Sequence, residues 1–195
     1  MTKTTAAERV LHAPAAVVGG VGAALCRRFA AGGYQVPVAG REKREQAART
    51  IRGTGGSAEP VAVDTTRKGD VARLFDKAMS PGASREPADL VVFNAGNNQR
   101  IDFGALTAQQ FEYFWRIGCF GGFLVGREVA RRLAPLGRGT LIFTGASASL
   151  RGKPGFAQFA AAKAGLASRP LPGRVVSAGE LKDIEPRAVL RSVER

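Results

Sequence analysis

Phe159 and Lys163 stand four residues apart in an alanine-rich helical pattern, Phe156 to Ala167. At that spacing both side chains share one helix face. A Tyr and a Lys so placed would make an acid/base pair, because the ammonium lowers the phenol's pKa. Here the first position is a phenyl ring, which has no proton to give. The stretch before the helix runs Gly139 to Ser147 and contains a buried strand, Thr140 to Thr144, of apolar and β-branched residues. Ser147 follows that strand, and a loop with Gly152, Pro154 and Gly155 leads into the helix.

Upstream elements must position this pair. A short buried strand spans Ala13 to Val18, and Gly19-Gly20-Val21-Gly22 follows at once. Ala23 to Ala31 is helical and ends at Gly32-Gly33. Tyr34 to Ala39 is a second strand, with Pro37 as a mild objection. A charged helix covers Glu42 to Arg52, a third strand Ala58 to Val63, and a helix Val71 to Met79. Ala88 to Phe93 is continuously apolar, as a central parallel strand should be. Thr107 is the expected N-cap of one long helix, Ala108 to Leu133. This alternation predicts an α/β fold, a Rossmann-like doubly wound parallel sheet. After Ala167 the pattern stops. Pro170 and Pro172 should end the helix, and Val175 to Arg195 has no clear strand followed by a helix. The expected organisation is a nucleotide-binding domain over 1–167 and a divergent tail over 168–195, with the C-terminal strands incomplete.

Composition narrows the function. The chain has 195 residues, 45% hydrophobic and 23% charged, which suits one globular domain. Its single histidine, His12, argues against a histidine-based metal site or triad. Cys26 and Cys119 lie far apart and are expected to be reduced. The net charge of +13 raises nucleic acid as a partner. The arginines, however, are spread along helices as pairs such as Arg27-Arg28 and Arg131-Arg132, with no basic run interleaved with aromatics. No nucleic-acid role is expected. Nor is a membrane role, since no stretch is long and apolar enough to span a bilayer, and a cytoplasmic protein is the expectation.

The context Leu150-Arg151-Gly152, Pro154-Gly155, then Phe159-x-x-x-Lys163-Ala164, together with Asn94-Ala95-Gly96, resembles the short-chain dehydrogenase/reductase family over roughly Ala13 to Leu166. The resemblance implies an NAD(P)-dependent oxidoreductase that moves hydride between the cofactor and a carbonyl or alcohol. Gly19, Gly20 and Gly22 match the family's phosphate-binding glycines, with three intervening residues missing. Arg41 falls where the adenosine ribose would lie and favours NADP over NAD, because no acid stands at that strand end. Asp64 matches the Asp that bonds the adenine amino group, while its own setting in Asp64-Thr65-Thr66 equally suits a turn role. Asn94, Ala95 and Gly96 match the motif that lets the cofactor ribose close to the sheet. Lys163 would hold the nicotinamide ribose. The family's Asn, Ser and Tyr fall here on Gly118, Ala146 and Phe159, and Ser147 is the hydroxyl one step out of register.

The substrate would be a small molecule. The 107–133 helix is more apolar than one buried stripe requires; that suits a well-buried core helix, and the family resemblance implies a homo-oligomer packed through it. Two alternatives stand beside the oxidoreductase. One is a catalytically silent nucleotide-binding or dimer-partner module. The other is a decayed gene product, with a truncated or out-of-frame C-terminal part.

Overall fold

A computed structural model describes residues 15–16, 20–80, 87–137, 139–168 and 175–177. Gly19, His12, Pro170, Pro172 and most of the 168–195 segment therefore lie outside the described residues. The strands are β1 (Ala15–Ala16), β2 (Gln35–Gly40), β3 (Ser57–Ala62), β4 (Leu90–Phe93), β5 (Thr140–Gly145) and β6 (Val175–Ser177). They form one sheet in the order β3-β2-β1-β4-β5-β6, and every pairing is parallel. The helices are α1 (Gly20–Ala31), α2 (Arg44–Gly53), α3 (Lys68–Met79), α4 (Ala108–Trp115), α5 (Gly121–Arg132) and α6 (Ala157–Ala167).

The doubly wound arrangement follows from side-chain alternation. Leu90 and Val92 of β4 pack with Leu25, Phe29, Ala48 and Ile51 of α1 and α2. Val91 and Phe93 point the other way, into a cluster with Phe75 of α3, Val125 of α5 and Leu166 of α6. Both faces of the strand are apolar because both are covered. Fully burying one such side chain stabilises the fold by about 1.5–3 kcal/mol. Pro37 sits one residue before Val38 and Ala39, the two residues of β2 that pair with β1.

Two features differ from the sequence reading. The long helix is interrupted. Thr107 caps α4 in a full capping box with Gln110, but Arg116–Phe120 forms a π-helical segment before α5 begins. Gly118 lies within that segment, where an added Cβ would come 2.9 Å from the Ala162 Cβ of α6. The second difference is β6. Val175, Val176 and Ser177 pair with Phe143, Thr144 and Gly145, so a short strand does follow α6. Three residues carry no periodicity that a sequence pattern could register.

Candidate functional site

The sheet order reverses between β1 and β4, and the loops at the carboxyl ends of the strands converge there. Open parallel sheets place ligands at this crevice. Arg41 follows β2, Val63 and Asp64 follow β3, and Ala95, Gly96 and Asn97 follow β4. Together with Thr65 and Ile117 they line a cavity of about 150 Å³. Helix α1 begins at Gly20, and Gly22 is buried in its first turn. Its unpaired N–H groups and dipole suit an anion.

The cavity's charged groups are fixed by their neighbours. Asp64 Oδ1 accepts from the Thr66 N–H at 2.9 Å and from the Thr66 hydroxyl at 2.8 Å. The turn role is thus occupied by one oxygen. Burial pushes the Asp64 carboxyl up, but the Thr66 bonds and the Arg41 and Arg67 charges outweigh it and hold the pKa below the ordinary value. Asp70 accepts from the Asp64 N–H at 2.9 Å and ties this loop to α3. The Arg41 guanidinium donates to the Tyr113 hydroxyl of α4 at 3.4 Å, and that contact, with Asp64 and Glu42, keeps it firmly cationic.

Lys163 is the centre of the other half. Its Nζ donates to the Thr144 carbonyl of β5 at 2.7 Å, and the side chain is only 5% exposed. Burial pulls its pKa down to about 8. The nitrogen lies 5.9 Å from the centre of the Phe159 ring, so the two do share a face. A Cβ on Gly96 would come 3.3 Å from Nζ, which is why a glycine suits that position. Asn94 is buried at the end of β4.

Beyond Phe159 a second and larger cavity, about 490 Å³, opens between the β4 and β5 loops. Ser147, exposed at the start of a 3-10 turn, lines it together with Phe159, Asn98, Arg151 and Lys153. Ala146, just before the turn, is extended and carries only a methyl group. Gly118 packs against Ala162, so a side chain added there would require α6 to shift. The structure thus brings Arg41, Asp64, Ala95 and Gly96 to one cavity and Ser147 and Phe159 to another, with Lys163 between them. Sequence reasoning missed Tyr113 and Lys153, since an exposed aromatic and an exposed lysine carry no local signal.

The short chain dehydrogenase profile matches residues 15–169. The chain belongs to the short-chain dehydrogenase family. Among solved structures it is similar to a short-chain dehydrogenase from Rhodopseudomonas palustris, with 29% identity and a TM-score of 0.76, covering 96% of this chain and 91% of that one. It is also similar to a gluconate 5-dehydrogenase from Burkholderia cenocepacia solved in complex with NADP and tartrate. There the identity is 25% and the TM-score 0.70, over 80% of this chain and 61% of the other. An oxidoreductase of Sarocladium schorii is 27% identical over 83% of this chain and 65% of its own length. The chain spans less than two thirds of the curated relatives it matches. Among the described residues no helix is long and apolar enough to cross a membrane, and no three His, Cys, Asp or Glu cluster as metal ligands do.

Proposed function

We propose that the chain binds NADP(H) and acts as an oxidoreductase on a small alcohol or carbonyl, turning over slowly because its proton donor is missing. One observation carries this: a buried lysine, Lys163, is held between the Gly96 approach and Phe159, beside a cavity walled by Arg41 and Asp64. The residues fit the cofactor. Gly20 and Gly22 would face the pyrophosphate from the α1 N-terminus, Arg41 the 2′-phosphate, and Asp64 the adenine amino group through its second oxygen. Asn94, Ala95 and Gly96 would form the floor, and Gly19 belongs to the same loop in sequence. When bound, a nicotinamide supplies hydride acceptance or donation.

The chain's own residues do the rest. Lys163, mostly protonated at pH 7, offers hydrogen-bond donors to ribose hydroxyls. Phe159 shields the reacting carbon but moves no proton. The hydroxyl proton is left to Ser147, which lines the same cavity, or to water entering it. The Burkholderia neighbour's NADP is consistent with the Arg41 preference. The test is a titration with NADPH and NADH, following the melting transition and Trp115 fluorescence. NADPH should stabilise saturably and more than NADH. Stabilisation by neither would end this reading.

A second reading, a silent partner subunit, is favoured by Phe159 together with the aromatic face of α4 and α5. Trp115, Phe120 and Phe123 stack in succession at 6.2 Å, and Phe123 is 57% exposed. An exposed apolar run of this kind suits a second copy of the chain. If it does, Phe123→Lys should shift the sedimenting species to monomer. Nucleotide binding without any turnover would favour the silent subunit.

A further inference from the structure

The larger cavity has a charge character that the oxidoreductase reading does not use. Its lining includes Arg151 and Lys153 and no acidic residue. Neither cation has a carboxylate partner among the described residues, and both are exposed. Lys153 Nζ lies 6.0 Å from the centre of the Phe156 ring, which also lines the cavity. A third cation, Arg100, runs its side chain past Gly155: a Cβ there would meet Arg100 Cγ at 2.8 Å, and Gly155 has φ +82°. The nearest acid in sequence, Asp102, is not part of the lining.

The two loops that carry these groups are fastened together. The Ile101 N–H donates to the Gly155 carbonyl at 2.9 Å. Gln158, fully buried, donates through Nε2 to the Gln99 carbonyl at 2.7 Å. The cations therefore stand on a braced rim of a cavity that is otherwise lined by the apolar Phe156 and Phe159 and the neutral polar groups of Asn98 and Ser147. A guanidinium and an ammonium lining one cavity, with no acid in that lining, favour an anionic ligand such as a carboxylate.

We propose that this cavity takes a small hydroxy- or oxocarboxylate, its carboxylate on Arg151 and Lys153 and its reacting carbon toward Phe159. This specificity rests on the oxidoreductase reading, whereas the binding it requires is measurable without turnover. Tartrate serves as the probe and threitol, its uncharged polyol counterpart, as the control. Both are titrated against thermal stability at matched ionic strength, with and without NADPH. Tartrate should stabilise saturably and threitol should not. Arg151→Gln with Lys153→Gln should raise the tartrate Kd at least tenfold. Arg27→Gln with Arg49→Gln, which removes the same charge from distant exposed sites, should leave it within twofold. Equal stabilisation by threitol, an unchanged tartrate Kd in the rim variant, or no tartrate binding at all would overturn the proposal. The NADPH arm separates the two readings. Tartrate binding without any NADPH response leaves the anion site standing and removes the oxidoreductase. The reverse result keeps the oxidoreductase and removes the carboxylate specificity.

Discussion

The two cavities flanking Lys163 differ in the groups they hold. The one behind Gly96 keeps its charged pair, Arg41 and Asp64, each held by a hydrogen bond from or to a neighbour. The one beyond Phe159 is wider, and it is faced by the Phe159 ring, which has no proton to give, and by the Ser147 hydroxyl. Binding tolerates piecemeal loss, because each contact contributes its own increment. Proton transfer does not, since it needs one group at one place. If the chain is the oxidoreductase proposed above, ligand binding should therefore be easier to detect than turnover.

The sharpest way to break that contrast is Phe159→Tyr. If only the donor is missing, NADPH-dependent carbonyl reduction should rise by about 10²-fold or more. Adding Ala146→Ser should raise it further, and no gain in either would mean that the second cavity has lost more than its protons. Lys163→Met tests the border between the two cavities. Burial holds Lys163 at about 8, so the unfolded chain keeps this proton up to its ordinary pKa near 10.5 while the folded chain gives it up earlier. The lysine's contribution to stability is therefore poorest below pH 8 and improves as pH climbs toward 10.5. The penalty at pH 7 is about 3 kcal/mol by linkage. After loss of the Thr144 bond, the variant should be more stable by about 2 kcal/mol at pH 7. That advantage should vanish by pH 10.5 in paired denaturant melts, and cofactor affinity should fall at every pH. Arg41→Gln acts on the first cavity alone, and the NADPH Kd should rise about tenfold with NADH little changed. Gly118→Ala should cost about 1 kcal/mol, read as a lower urea midpoint. Its Cβ would crowd Ala162, and that strain outweighs the gain in helix propensity.

What the sequence discloses divides along physical lines. Leu90–Phe93 is legible as a strand because it is a continuous apolar run, and Thr140–Thr144 because its apolar and β-branched residues are bounded by glycines. Thr107 is legible as a cap because capping is local, and Gln110 completes it three residues on. The π-helical segment is not legible, since it accompanies contacts between residues such as Gly118 and Ala162, far apart in the chain. Lys163 on an alanine-rich helix could equally face water, and only the Thr144 carbonyl and Gly96 decide that it is buried. Gln158 carries no sequence signal at all, yet it ties the β4 loop to α6. The same holds for Arg151 and Lys153, whose meaning comes from the absence of acids around them in space.

The close seating of Gly118 on Ala162 also has a mechanical consequence. An asparagine at position 118 would need room that Ala162 occupies. Nearby, Gly122 meets Leu166 and Gly165 meets Cys119 in the same tight fashion, so the neighbouring helices have no slack to offer. A longer side chain at 118 would therefore have to displace α6 rather than settle into an existing gap. The packing thus acts as a spacer: a side chain added at 118, 122 or 165 would push α6, and Lys163 with it, away from the strand end that holds the lysine.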